Sequence, residues 1–426
     1  MAAPRVTAVD RTMISVPFHP RTAMWTKLLA AHWGLVEVVR VTTDDPDIVG
    51  WGETLVDYTW ARVTDEAVRR VVGRPVAELL FFDELGAGLQ MALADAAGKA
   101  AEVPVHRLLS SPQVRDAVPI SWWCADLPPA LLAEEAADAV SQGYTSLKLK
   151  ARPWFDVVDQ VKAVAEVTPS HFKLDIDWNS TLLTVDEALP VLRELDQYDR
   201  VGMYESPVRR QDITGQRFIR ERVQRPLAEH YNPATFESVI RADCVDGFVA
   251  FGGGLTGMLD QGIRMAAFAK PFWLQIVGTA LTTAFTAHLG AVLTHARWPA
   301  ITALNTFDDD LVTTPLQVSE GFLPVPTAPG LGIEVDESAI ERLALPDGVL
   351  PEAPRALLTV RVPGRPDRTY GQMDDLWRDS EVDGRYGGHP RGAVMDVLLD
   401  DGSETFHSQH RDRLAAVVAP HRVRGY

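Results

Sequence analysis

The sequence predicts an α/β protein: a (β/α)8-type, modified TIM barrel with an α+β capping domain formed mainly by the N-terminal part and a small C-terminal β extension. Three observations predict it. Short apolar runs alternate with helical runs from residue 118 to 314. Charged residues close successive apolar runs at near-equal intervals, with Lys150 to Asp177, Asp177 to Glu205 and Glu205 to Glu229 separated by 27, 28 and 24 residues. That is the length of one strand, a loop and a returning helix. Finally, no Gly-rich dinucleotide fingerprint follows the first strand, because Gly252-Gly253-Gly254 lacks the spacing that cradles a pyrophosphate.

From Val6 to Asp57 the pattern is that of an antiparallel meander: a run to Val16, the run Leu35 to Val41, a polar turn over Thr43 to Asp47, and Val49-Gly50-Trp51-Gly52-Glu53. A helix over Leu89 to Ala101 follows, whose small residues Ala92, Ala94, Ala96, Ala97 and Ala100 suit close packing against a neighbour. These make a capping domain over 1–117. The barrel occupies 118–314. Its expected strands are the run ending at Trp122-Trp123, Ser146 to Lys150, Phe172 to Asp177, Val201 to Glu205, Pro226 to Glu229, Gly247 to Phe251, Phe272 to Val277 and Ala300 to Leu304. A return segment punctuated by Pro and Gly covers 315–350. In 351–426 two strand-like runs, Leu357 to Val362 and Val394 to Leu399, are joined by a stretch rich in Asp, Arg and Gly.

With 426 residues, 46% of them hydrophobic and 23% charged, the chain can bury a sizeable core. A formal net charge of −17 without a basic run argues against a nucleic-acid or anionic-membrane surface. The N-terminus resembles no secretory leader, and the apolar stretch from Phe272 to Leu293 reads as a buried strand and helix rather than a membrane span. Two cysteines, Cys124 and Cys244, are too few for a disulfide framework or a thiolate metal site, so a reducing cytoplasm is expected. An acidic surface with an extra tail is compatible with a symmetric homo-oligomer.

Three carboxylates from consecutive strand ends, Asp177, Glu205 and Glu229, can surround a cation of the size of Mg2+ with hard oxygens. Such a cation polarises a small carboxylate substrate and lowers the barrier to losing the neighbouring proton. Lys150 on the adjacent strand is the natural base. Lys148, two residues back and on the same face, adds a like charge that favours the neutral amine. Asn179 lies on the ligands' face, within reach of a ligand or a substrate oxygen. Taken singly, a Lys-x-Lys is ordinarily a solvated strand face and a carboxylate at a strand end a helix cap. Their recurrence at the barrel period is what points to a site.

These residues resemble the enolase superfamily, in its branch of mandelate racemase and muconate-lactonising enzyme. The matching phrases are Gly50-Trp51-Gly52-Glu53-Thr54, Ala92 to Lys99 with Pro104 and Leu108-Leu109, Lys148-Leu149-Lys150 and Asp177-Trp178-Asn179. They continue with Glu205-Ser206-Pro207, Ala228-Glu229, Gly253-Gly254-Leu255-Thr256 and Pro329-Gly330-Leu331-Gly332. The resemblance implies one Mg2+ per subunit on Asp177, Glu205 and Glu229, Lys150 as base with Lys148 beside it, and a loop near Pro17 to Lys27 that closes over the substrate.

Two positions depart from the pattern. Gln275 stands where racemase-like members have a His, and Asp243 to Gly254 contains no Lys where lactonising members have one. The face opposite Lys150 therefore lacks a recognised acid or base, which disfavours two-base chemistry. Trp25, Lys27 and Tyr58 fall where the family reads its substrate, and His230 and Gln275 are further candidate substrate contacts. The leading expectation is dehydration of an acid sugar or related hydroxy acid. Cycloisomerase or epimerase chemistry, and a metal-binding member that has lost turnover, are the alternatives.

Overall fold

The computed structural model describes residues 4–56, 58, 62–109, 112–346, 349 and 352–415. An antiparallel meander, β1 (Val6–Ser15), β2 (Leu35–Thr43) and β3 (Val49–Leu55), begins the cap, with α1 (Ala23–Ala30) inserted after β1. After it come α2 (Asp65–Val71) and α3 (Ala87–Ala100). Helix α3 lies against β3 at a separation only glycine permits. A Cβ on Gly50 would meet the Ala92 carbonyl at 2.0 Å, and one on Gly52 the Gly88 carbonyl at 2.2 Å. The Ala-rich face of α3 and the two glycines of β3 are one packing solution.

Strand β4 (Ala117–Pro119) leads into a seven-stranded parallel sheet that runs in chain order: β5 (Trp122–Cys124), β6 (Ser146–Lys150), β7 (Lys173–Asp177), β8 (Val201–Glu205), β9 (Leu227–His230), β10 (Gly247–Ala250) and β11 (Phe272–Leu274). Helices α4 (Pro129–Ser141), α5 (Val157–Val167), α6 (Val185–Leu195), α7 (Ile213–Arg220), α8 (Phe236–Ala242), α9 (Gly254–Ala267) and α10 (Ala280–Val292) follow the strands one by one. The expected eighth strand over Ala300 to Leu304 is replaced by single bridges. Ile301 N–H donates to the Leu274 carbonyl at 2.9 Å and Ser121 N–H to the Ala300 carbonyl at 2.9 Å, which closes the curl between β11 and β5. The extended backbone stops there because Ala303 turns to a left-handed φ of 55° and enters a 3-10 turn over Leu304–Thr306.

Strand pairing fixes which side chains face the barrel axis, since paired residues of parallel strands share a face. The register aligns Trp123 with Lys148, Lys150 with Asp177, Asp177 with Glu205, Glu205 with Ala228, and His230 with Val249. Contacts among Lys148, Glu205, Gln275 and the Trp273 ring show that this row points inward. The alternate row holds Tyr204, bonded to the Leu192 carbonyl of α6, and Phe248, packed on Phe236 of α8. Glu229 pairs with Phe248 and belongs to that outer row.

The cap is fixed to the barrel by charged groups at helix starts. Glu53, at the end of the Gly-Trp-Gly-Glu phrase, accepts hydrogen bonds from Thr279 N–H at 2.8 Å and Thr282 N–H at 3.0 Å, at the N-terminus of α10. Asp83 does the same for Thr256 and Gly257 at the start of α9. Strand β12 (Phe322–Pro324) returns to pair with β4, followed by α11 (Glu337–Leu343).

The C-terminal extension is richer than two strands and a loop. It contains β13 (Ala356–Arg361), β14 (Arg368–Tyr370), α12 (Met373–Glu381), β15 (Val394–Leu399) and α13 (Glu404–Ala415), with sheet order β14-β13-β15. Helix α12 buries Leu376, Trp377 and Ser380, a helical spacing masked in the sequence by Asp374, Asp375 and Asp379. The extension packs on the barrel of its own chain. Trp377 meets Trp154 edge to face at 5.2 Å, and Arg391 reaches Asp156 at 2.8 Å and Glu194 at 2.5 Å. The stretch Phe272 to Leu293 is β11 followed by α10. Among the described residues no helix is long and apolar enough to cross a membrane.

Candidate active site

The inner row converges at the C-terminal ends of β6, β7, β8 and β9. Lys148 Nζ lies 2.6 Å from Glu205 Oε2 and 3.4 Å from Asp177 Oδ2, and donates to Gln275 Oε1 at 2.7 Å. Lys150 Nζ lies 2.5 Å from the same Asp177 oxygen and 3.5 Å from Asn179 Oδ1. Two lysines therefore share one carboxylate in a closed interior, where Lys148, Asp177 and Glu205 are only 1%, 1% and 3% exposed.

The two amines respond differently to this enclosure. Burial opposes the charge of Lys148, yet Glu205 and Asp177 outweigh it and hold its proton more tightly than usual. Burial dominates at Lys150, with the like charge of Lys148 and Arg152 added, and brings it down to about 8 against the pull of Asp177. Asp177, with both lysines beside it, stays well below the usual carboxylate range despite its burial. Glu205 is held low as well: Lys148 and a hydrogen bond from His230 outweigh its burial and the repulsion of Asp177. Lys148 is thus the fixed charge and Lys150 the amine able to give up its proton.

The third carboxylate expected in this cage is elsewhere. Glu229 sits on the outer face of β9, where it accepts from Ser206 Oγ at 2.7 Å and Gln216 Nε2 at 3.2 Å and forms an ion pair with Arg210 Nε at 3.2 Å. Burial pushes it up to about 7. The residue that faces Glu205 from β9 is His230, whose Nε2 lies 3.0 Å from Glu205 Oε1 while its ring rests against Phe251 at 4.9 Å. The even spacing of strand ends located the right strand but not the right face of it. Among the described residues no three His, Cys, Asp or Glu side chains form a ready metal cage, and the space between Asp177 and Glu205 is spanned by the Lys148 ammonium.

The other candidates divide the same way. Gln275 lies at the far wall and donates to the Tyr58 hydroxyl at 3.2 Å; Tyr58 packs on Trp33, which packs on Trp123. Asn179 flanks Lys150 and accepts from Arg152 Nη2 at 2.6 Å. Trp25 is buried against Phe155 at 5.7 Å, next to a loop tied down by Arg21 on Glu135 and Asp138. Lys27 is exposed on α1. Two wall residues escaped the sequence reading. Arg152 extends the Lys-x-Lys alternation by one more step, which is a signal that could have found it, whereas Trp273, 5.3 Å from Lys148 Nζ, carries no signal apart from register.

Fold and site define a capped parallel-barrel protein with two unequal lysines set against paired carboxylates at the strand C-terminal ends. A family model described as enolase C-terminal domain-like matches residues 131–339. The N-succinylamino acid racemase of Amycolatopsis sp is 30% identical over 260 residues, covering 58% of this chain and 67% of that protein. The arabinonate dehydratase of Saccharolobus solfataricus is 24% identical over 322 residues, covering 72% and 84%. An enolase from Thermobispora bispora, solved with magnesium and formate, superposes with a TM-score of 0.64 at 22% identity, over 80% of this chain and 92% of that one. The chain belongs to the enolase superfamily, in the branch of mandelate racemase and muconate-lactonising enzyme, and is an enzyme of lyase or isomerase type. Membership implies a divalent metal.

Proposed function

We propose that this enzyme removes the α-proton of a small 2,3-dihydroxy-carboxylate, such as an acid sugar, and expels the β-hydroxyl as water, so that the enol left with the α-hydroxyl becomes a 2-keto acid. The observation that carries the reading is the asymmetry of the lysine pair: Lys150 is held at about 8 beside a Lys148 that keeps its charge. Lys150, lowered by burial and by the charge of Lys148, is the amine of the pair able to accept a proton. Lys148 stays cationic and orients the substrate carboxylate.

Asp177 and Glu205 would hold a divalent cation, Mg2+ being the ion their hard oxygens suit. When bound, that cation neutralises the substrate carboxylate and the charge that grows as the proton leaves. The proton taken by Lys150 can return to the departing hydroxyl on the same side. The α C–H and β C–O bonds break, water leaves, and the enol relaxes to the ketone. Dehydration needs one base, and the opposite wall supports that choice: the inner row of β10 and β11 carries Gly247, Val249 and Trp273, with Gln275 just beyond. Gln275, Tyr58 and Asn179 supply hydrogen bonds for substrate hydroxyls.

The reading carries with it one cation per subunit, a homo-oligomer, and a cytoplasm, to which two unpaired, buried cysteines are suited. Semicarbazide detection of 2-keto products across an acid-sugar library tests it; the reading fails if no member yields one. The likeness to a racemase favours a second reading, cycloisomerase or epimerase chemistry. Its mark is deuterium entering the α-carbon with no keto product.

A further inference from the structure

We propose that the Tyr58 hydroxyl is the general acid of the dehydration, giving its proton to the departing β-hydroxyl from the side of the site away from Lys150. The inference rests on the proton-abstraction reading above and supplies a proton for the leaving water other than the one Lys150 has taken. Its ground is an orientation fixed by hydrogen bonds. Gln275 Oε1 accepts from Lys148 Nζ at 2.7 Å and from Trp273 Nε1 at 3.4 Å, and an ammonium and an indole N–H only donate. The other end of that amide is therefore Nε2, which donates to the Tyr58 oxygen at 3.2 Å. The phenol is the acceptor in this bond, so its own proton is left to be given elsewhere.

Lys150 and Tyr58 stand on opposite sides of Lys148. Lys150 shares Asp177 with Lys148 on one side, and Gln275 joins Lys148 to Tyr58 on the other. The Tyr58 ring packs on Trp33 at 4.7 Å and Trp33 on Trp123 at 4.8 Å, and Trp123 is the residue paired with Lys148 across β5 and β6. Burial pushes the phenol up to about 12 against the opposing charge of Lys148, so it carries its proton at neutral pH. The wall facing the base thus receives from the cap the acid that β10 and β11 lack.

The protons balance. Lys150 takes the α-proton, the β C–O bond breaks as Tyr58 protonates the leaving oxygen, and water departs from an enol. As the enol becomes the ketone, its hydroxyl proton returns to the Tyr58 phenolate and Lys150 delivers the proton it holds to the β-carbon. Both residues end as they began.

The experiment compares the full-length wild type with Tyr58→Phe, which keeps the ring against Trp33 and removes only the hydroxyl. The probes are aldonic acids and their 3-deoxy-3-fluoro analogues, with 2-keto product read by semicarbazide and fluoride by an ion-selective electrode. Fluoride leaves without a proton, so its release needs the base but no acid. Y58F is expected to dehydrate at least about a hundredfold more slowly, the share of a general acid, and to release fluoride within about threefold of the wild type. The fluoride rate reports a folded, working site, so misfolding does not imitate this result. Dehydration retained in Y58F, both products lost together in Y58F, or one product without the other from the wild type overturns the inference and leaves the proton-abstraction reading standing. Neither product from the wild type overturns both.

Discussion

Glu229 and His230 are neighbours in the chain and stand on opposite faces of β9: the carboxylate joins Arg210 and Gln216 in the helix layer, and the imidazole meets Glu205 inside the barrel. A strand reverses its side chains at every residue. One position of register thus decides which of the two side chains reaches the barrel interior.

Lys148 is the counter-charge of two buried carboxylates, and its removal should expose their repulsion. In metal-free protein Lys148→Met is expected to cost about 3–5 kcal/mol, the range for breaking a buried pair. Urea unfolding measures this, and millimolar Mg2+ should restore much of the loss by replacing the missing positive charge.

Trp377 of the extension stacks on Arg152 at 4.7 Å, and Arg152 holds Asn179 beside Lys150. Trp377→Ala is expected to destabilise the protein by about 3–5 kcal/mol, as large-to-small aromatic changes do. It should also lower kcat more than it raises KM, because Lys150 and Asn179 lose their support while the carboxylate-binding groups stay. Trp377→Phe, which keeps a ring over the guanidinium, should recover most of the activity.

His389 docks the extension on the barrel through Thr181 at 2.9 Å and the face of Trp178 at 4.9 Å. Burial, with Arg152 nearby, pulls it down to about 3. A histidine lowered in the folded state stabilises the fold fully above its ordinary value near 6.5, and that contribution is lost as pH falls toward 3, because the unfolded chain takes up the proton first. Stability should drop by up to about 1.4 kcal/mol per pH unit below 6.5. His389→Asn should flatten that slope in denaturant titrations from pH 4 to 8.

Gly50 and Gly52 set the distance between β3 and α3. Gly50→Ala, whose new methyl would overlap the Ala92 carbonyl, should cost about 1–3 kcal/mol through overpacking and backbone shift. Differential scanning calorimetry would show it as a lowered Tm.

The architecture was legible in the sequence because the barrel period and the alternation of apolar runs are local and repeated. Lys148, Lys150, Asp177 and Glu205 share the inward parity, and all but Lys148 close their strands. The spacing from Glu205 to Glu229 counts residues, while the face on which Glu229 lies depends on how β8 and β9 pair, a non-local property. The eighth strand was lost to the left-handed turn at Ala303, where no glycine advertises it. Helix α12 was missed because four acidic residues surround its short apolar face. Arg152 could have been found by carrying the Lys-x-Lys alternation two residues further.

The central claim, that Lys150 takes a proton from the carbon beside a substrate carboxylate, is tested most directly by proton NMR in D2O. Wild type and Lys150→Gln would each be incubated with Mg2+ and a hydroxy-acid library. The expected result is loss of an α-proton, or deuterium at the adjacent carbon of a 2-keto product, with wild type and a fall of at least about a hundredfold with K150Q. Undiminished exchange in folded K150Q, or no exchange by the wild type with any member, would contradict it.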